Sequence, residues 1–122
     1  MMKEIQEFLR KYQKDMNWHI TDQNYEETKT SLLHNYLLLT TEIGEIAEEF
    51  RSVFNATIKN SEAEDIQHAF EIAKEAHREN IGKEIADCIA YLVKFANYFN
   101  IDMDKSFYSK MEEVKNRVNK DA

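Results

Sequence analysis

The sequence contains no proline and only two glycines among its 122 residues. Proline interrupts helices and glycine supplies the tight turns of β-hairpins, so nothing here breaks long helices and little favours a sheet. The single cysteine, Cys88, cannot form an internal disulfide, and no second cysteine exists for a zinc pair. Because Cys88 lies on an apolar helix face, we expect it to be a core residue.

An excess of basic charge is also missing, since the formal net charge is −7. Tight binding to nucleic acid or to an anionic membrane needs clustered lysine and arginine, so the composition argues against both and favours a cation as ligand. The first sixteen residues mix charged with apolar residues and lack the apolar stretch of a secretion signal or a membrane span. We therefore expect a cytoplasmic protein that forms one domain over residues 1–122.

Apolar residues recur at steps of three and four through most of the chain, which predicts an all-α fold. The pattern predicts a first helix that ends near Met16, a loop from Trp18 to Glu27, and a longest helix from about Ser31 to Phe54. Ser61 and Glu64 match a capping box. The capping box predicts a third, alanine-rich helix over about residues 62–78.

Asn80 and Gly82 indicate a junction, after which a strongly apolar fourth helix is predicted as far as Phe99. Capping side chains at Asp102 and Asp104 predict a fifth helix whose apolar stripe includes Val114 and Val118. The expected architecture is a bundle of four main helices plus one inserted helix, the third.

The five amphipathic helices present more apolar surface than a lone bundle of this length can cover. We therefore expect a homo-oligomer, either a dimer or a tetramer. Tyr36, Phe50, Phe54 and the third helix are the candidate interface.

Two pairs of acidic residues lie in the most apolar stretches of the chain. Glu42 and Glu45 belong to LLLTTEIGEIAEEF, and Glu84 and Asp87 belong to NIGKEIADCIAYLVKF. Residues three apart on a helix are neighbours, so each pair repels itself, and burial without a positive partner adds to that cost. The compensating charge is either a hard divalent cation such as Mg²⁺, held by carboxylates from two helices, or lysine and arginine at a helix interface. Glu49 adds a further carboxylate to the face of Glu45.

The histidines indicate no other metal. His19, His34, His68 and His77 form no zinc-binding pair four residues apart, and the chain lacks the two Glu-x-x-His units of a di-iron bundle. We expect all of them to be ordinary surface or interface residues.

The acidic motifs and the sequence after them carry a family resemblance. Glu42-Ile-Gly-Glu45 and Glu84-Ile-Ala-Asp87 are followed by Tyr91, by Ile101-Asp102, and by Lys110 before Arg117. Over roughly residues 31–54 and 80–117 the chain resembles the MazG-like nucleotide pyrophosphohydrolases, the all-α NTP pyrophosphatase superfamily that includes dCTP pyrophosphatases. The resemblance implies a MazG-like helical bundle in which the third helix is an insertion.

The resemblance also implies an enzyme, a Mg²⁺-dependent hydrolase of nucleoside triphosphates that cuts between the α and β phosphates and releases a monophosphate and pyrophosphate. It assigns Glu42, Glu45, Glu84 and Asp87 as metal ligands. One carboxylate that the metal does not fully engage orients the attacking water as general base, and Glu45 and Glu49 are the candidates.

Substrate contacts are implied for Tyr91, Lys110 and Arg117. The two cations match the family pattern K-x-x-x-N-x-x-R, with Val114 where the family usually has asparagine. Trp18 either stacks on the base of the nucleotide or packs in the core or an interface.

Two other functions share these features. One is a non-catalytic helical oligomerisation or interaction module whose acids hold a structural cation. The other is an enzyme like phosphoribosyl-ATP pyrophosphatase, which uses the same motif logic.

Overall fold

The computed structural model describes residues 1–62 and 65–117. Over these ranges the chain forms four α-helices: α1 (Met2–Asp15), α2 (Tyr25–Asn60), α3 (Ile66–Tyr98) and α4 (Met103–Lys115). The described residues include no strand, which confirms the all-α class. None of these helices combines the length and the apolar character that crossing a bilayer demands.

Helices α2 and α3 pair along their length as an antiparallel hairpin, and this pairing dominates the packing. Two contacts show the register: Glu49 Oε2 lies 3.3 Å from His77 Nδ1, and Lys94 Nζ donates to Asn35 Oδ1. The side of α2 that faces α3, here called the seam, consists of buried or half-buried residues at steps of three and four. These are Asn35, Leu39, Glu42, Ile46, Glu49, Val53 and Thr57. Such spacing is what two helices packed side by side require, and it places carboxylates in the seam.

The prediction of a separate inserted helix is wrong, because the predicted third and fourth helices are one continuous helix, α3. Asn80 and Gly82, the predicted junction, lie inside it. Glycine in a helix costs about 0.5–1 kcal/mol relative to alanine. That cost does not end a helix that packs on a partner along its length, whereas a proline would have ended it.

The predicted ends of the longest helix are also wrong. α2 begins at Tyr25, because Asn24 accepts a hydrogen bond from the Glu27 backbone N–H at 2.9 Å and caps the helix. It continues past Phe54 to Asn60. Packing on α3 extends the helix beyond the stretch in which its apolar period is regular.

The predicted capping box does not form at Ser61. Ser61 is the C-cap of α2, and its hydroxyl donates to the Ile58 carbonyl at 2.8 Å. The N-cap of α3 is Asp65, which accepts from the His68 backbone N–H. Glu64, the second residue of the predicted box, lies outside the described residues.

Helix α1 packs on α3, and α4 packs on α1. The Gln6 side-chain amide donates to Asn97 Oδ1 at 3.2 Å and to the Ile101 carbonyl at 2.8 Å, so it ties α1 to the end of α3. Asp102 caps α4 as predicted. The Asp104 carboxylate accepts hydrogen bonds from the backbone N–H groups of Met2 and Lys3 at the start of α1. The hydrogen bond from Met2 lowers the pKa of Asp104. Val118, predicted on the last helix, lies outside the described residues.

The apolar residues predicted from the period of the longest helix are not in the seam. Leu33, Tyr36, Leu37, Phe50 and Phe54, here called the apolar stripe, are exposed on the single chain. The seam occupies the neighbouring side of α2, where polar residues alternate with apolar ones, so the hydrophobic pattern alone identified the wrong face.

Candidate metal centre

Three carboxylates from two helices come together in the seam. Glu42 on α2 and Glu84 and Asp87 on α3 each offer an oxygen, and these oxygens lie within 4.8 Å of one another. The antiparallel register of the hairpin places Glu42 opposite Glu84, and one further helical turn places Asp87 beside them. The structure therefore brings together three of the four residues predicted as metal ligands.

Glu45, the fourth predicted ligand, lies next to this group. A hydrogen bond with the Glu45 carboxyl group, together with burial and the negative charges nearby, raises the pKa of Glu84 to about 7. Burial, followed by the charge of Glu45, raises the pKa of Glu42. Both shifts express the cost of ionising several acids in one place.

Two oxygens of the cluster, Glu42 Oε2 and Glu84 Oε2, are buried, and no group of residues 1–62 and 65–117 donates a hydrogen bond to them. A buried polar atom is ordinarily satisfied, and either a proton shared with a neighbouring carboxylate or a bound cation would satisfy these two oxygens. Carboxylate oxygens converging from two helices are the donor set that Mg²⁺ and similar hard cations prefer.

The alternative source of positive charge, a lysine or arginine at the helix interface, is not found at the cluster. Among the described residues, the ion pairs of lysine and arginine join other acids and leave out Glu42, Glu84 and Asp87. Lys94 is the buried cation on this side of α3, and it hydrogen-bonds the neutral Asn35. Within the described chain the salt-bridge interpretation therefore lacks its cation.

Glu49, predicted as a candidate base, lies further along the seam. Its Oε2 is 3.3 Å from His77 Nδ1, and this contact links α2 to α3 about two helical turns away from Glu42 and Glu84. The other histidines, at positions 19, 34 and 68, are exposed. Cys88 is buried, as expected from the sequence. Burial, together with the charges of Glu42 and Asp87, raises the pKa of the Cys88 thiol, so it stays protonated and is a poor nucleophile.

Trp18 and Tyr91, predicted as substrate-binding residues, are in contact. Their ring centroids are 5.2 Å apart in an edge-to-face arrangement, and both pack in the apolar cluster around Leu39 and Cys88. Trp18 is half-buried and comes from the loop between α1 and α2. Burial, then the charges of Glu42 and Asp87, raises the pKa of Tyr91.

Lys110 and Arg117 lie elsewhere in the single chain. Both are exposed, and both lie beside Glu113, at 3.1 Å and 3.9 Å. Helix α4 packs on α1 rather than in the seam. Val114 is half-buried on the last turn of α4.

Sequence reasoning missed two residues of this region, Asn35 and Lys94. Lys94 Nζ donates to Asn35 Oδ1 at 2.7 Å and lies 3.7 Å from the Trp18 ring centroid. A signal was present, because Glu84, Asp87, Tyr91 and Lys94 follow one another at steps of three and four. A lysine within LVKF was nevertheless not recognised as a seam position.

No protein-family model matches the chain, and neither a curated protein nor a solved structure matches it. Its function must therefore be argued from the residues of the site.

Proposed function

We propose that the protein is a Mg²⁺-dependent nucleoside triphosphate pyrophosphohydrolase of the MazG-like kind that works as a homo-oligomer. The observation that carries the proposal is the convergence of Glu42, Glu84 and Asp87 from two helices, with two buried oxygens that lack a donor within the described part of the chain. The sequence resemblance supplies the reaction, and the cluster supplies a place for its metal.

The residues of the seam have separate roles in this proposal. Glu42, Glu84 and Asp87 would hold Mg²⁺, which neutralises triphosphate charge and helps to activate water. Glu45 is the better candidate for the general base, because it is exposed and lies beside Glu84. Glu49 is the weaker candidate, because its carboxylate contacts His77.

The proposed oligomer has its own support. The apolar stripe is exposed on the single chain, as are Ile5, Phe8 and Tyr12 of α1 and Phe107 of α4. A second copy of the chain would cover such surface. In such an oligomer, Lys110 and Arg117 of one copy would lie near the metal centre of another copy, whereas within their own chain they lie beside Glu113.

The direct test is pyrophosphate release from a panel of ribo- and deoxyribonucleoside triphosphates, with and without Mg²⁺. We expect release that requires the metal. Glu84→Gln and Asp87→Asn should each reduce kcat/KM by more than about 100-fold, since even residues that only support a metal ligand are commonly worth 10- to 100-fold.

Metal binding is measured separately by the thermal midpoint. Mg²⁺ at about 100 times its Kd should stabilise the wild-type fold by about 2.7 kcal/mol, and the two variants should lose most of that gain. The matched control is Glu79→Gln, since Glu79 is an exposed acid on α3 that pairs with Lys83 at the surface. It should change neither measurement.

The competing function, a non-catalytic module with a structural cation, makes a different prediction. In that case Mg²⁺ stabilises the fold as above, but no nucleotide is hydrolysed. Full activity and a full Mg²⁺ response in both Glu84→Gln and Asp87→Asn would refute the metal centre itself.

A further inference from the structure

Lys94 is a buried cation in the seam. The residue is 2% exposed, and its Nζ donates to Asn35 Oδ1 at 2.7 Å. The same atom lies 3.7 Å from the ring centroid of Trp18 and 4.8 Å from that of Tyr91. Burial lowers the pKa of Lys94 to about 8, so the ammonium is still mostly protonated at neutral pH.

This ammonium has hydrogen-bonding capacity that the described protein does not use. A lysine ammonium carries three N–H donors and no acceptor, and Asn35 accepts one of them. Within residues 1–62 and 65–117 no carboxylate forms an ion pair with Lys94. The aromatic rings offset part of the cost of burial, but they leave two donors without an oxygen partner.

The position of Lys94 relates it to the candidate metal centre. Glu84, Asp87, Tyr91 and Lys94 lie on one side of α3, and Lys94 is two helical turns, about 10 Å, beyond Asp87. Phosphates gathered at the carboxylates would leave the base of the nucleotide as the part that extends towards Trp18 and Lys94. Lys94 also lines a surface cleft of about 520 Å³, whose other lining residues belong to α1, to the loop before α2 and to the region around the end of α3.

We propose that Lys94 donates a hydrogen bond to a carbonyl oxygen of the nucleobase and thereby selects bases that carry one. The inference rests on the proposed function. Guanine, hypoxanthine, cytosine and uracil all have a carbonyl oxygen, whereas adenine has none. The ammonium covers one face of Trp18, so the base meets it edge-on instead of stacking on that face.

The test compares nucleotides that differ at this group. ITP has a carbonyl where ATP has an amino group, so the two form a matched pair. For the wild type we expect kcat/KM to favour ITP over ATP by about 10- to 100-fold, the range of one hydrogen bond to a charged group. GTP, CTP and UTP should also exceed ATP.

Lys94→Met keeps the length of the side chain and removes the donors. We expect the ratio of ITP to ATP to fall to within a few-fold of one, because hydrolysis of ITP is lost while that of ATP changes little. The variant leaves the buried Asn35 Oδ1 without its donor, so we expect some loss of stability, and a thermal melt checks that the protein still folds. Lys83→Met, at an exposed lysine of α3, is the control and should leave the ratio unchanged.

Asn35→Asp provides a second variant that retains the lysine. It gives the ammonium a carboxylate partner at the position where Asn35 Oδ1 now accepts, and it should also reduce the preference for ITP. Equal loss of activity on every nucleotide in Lys94→Met would mean that Lys94 binds phosphate or only supports the fold, and it would overturn the inference.

The experiments distinguish failure of the proposed function from failure of the inference about Lys94. If the wild type hydrolyses no nucleotide, the reaction is wrong, and calorimetry with IMP and AMP tests Lys94 by itself. Tighter binding of IMP in the wild type but not in Lys94→Met supports the inference without the activity. Equal affinity for IMP and AMP, or hydrolysis of ATP as fast as that of ITP, overturns it.

Discussion

Glu84 and Glu42 are the two carboxylates of the cluster whose surroundings make ionisation costly. Each has one buried oxygen to which none of the described residues donates a hydrogen bond, and each has a raised pKa. The surroundings of Glu42 and Glu84 disfavour their ionised forms. Asp104 is the contrasting case, because a hydrogen bond from the Met2 backbone N–H favours its ionised form and lowers its pKa. A carboxylate that is costly to ionise in the protein alone is suited to a cation that removes the cost.

A pH dependence follows for the metal-free protein. The folded pKa of Glu84 is about 7, above its ordinary value of 4.5, so between these pH values the folded state holds a proton that the unfolded state has released. Stability should therefore fall as the pH rises from about 5 to about 7.5 in the presence of a chelator. Thermal midpoints across this range measure the effect.

Glu84→Gln should flatten that profile, because the amide does not titrate, and the control Glu79→Gln should preserve it. Saturating Mg²⁺ should flatten the wild-type profile as well, since a bound cation favours the ionised acid. A chelated wild type whose midpoint rises steadily over the same range would contradict the assignment.

Helix α3 shows how an element tolerates residues that disfavour it locally. Gly82 lies in its interior, and a Cβ added there meets no atom within 4 Å. The helix is continuous because it packs on α2 along its length. These contacts offset the low helix propensity of glycine at position 82.

Gly82→Ala should therefore stabilise the protein by about 0.5–1 kcal/mol, through reduced backbone freedom in the unfolded chain. Chemical denaturation measures the change. The reverse substitution at an exposed position of the same helix, Ala86→Gly, should destabilise by a similar amount. A loss of stability in Gly82→Ala would indicate a break in the helix at this residue or a partner packed against it.

At the scale of the whole molecule, many large apolar side chains of the described residues are exposed on the single chain. Large apolar side chains are exposed on every helix, while the seam between α2 and α3 buries polar as well as apolar residues. Helix α2 thus has one side buried against α3 in the seam and a second, apolar side exposed in the apolar stripe, and such a pair of sides is typical of a helix that packs both within its own chain and against another.

We expect the protein to sediment as a dimer or tetramer at micromolar concentration. Phe54→Gln, in the apolar stripe, should shift the population towards monomer without unfolding the chain, because this side chain is 57% exposed on the single chain. Tyr25→Gln, at the exposed start of the same helix, is the control and should leave the assembly intact. A wild type that is monomeric at these concentrations refutes the oligomer.

The sequence predicted the all-α class because the absence of proline, the scarcity of glycine and the helical period all act locally. It also singled out Glu42, Glu84 and Asp87, since acids in strongly apolar stretches are conspicuous without any structure. It did not predict the continuity of α3, because a weak local break at Asn80 and Gly82 is overridden by packing on another helix.

The amino-acid order was enough to predict that the chain forms helices and to single out the acids embedded in its apolar stretches. Which face of α2 is buried depended instead on the packing of two helices, because that face is chosen by the fit of its side chains to α3 and not by how many apolar residues it carries. The antiparallel register then placed Glu42 against Glu84 and Asn35 against Lys94, pairs that are far apart in the chain. Contacts between distant residues depend on how two helices align, and no local pattern in either helix specifies that alignment.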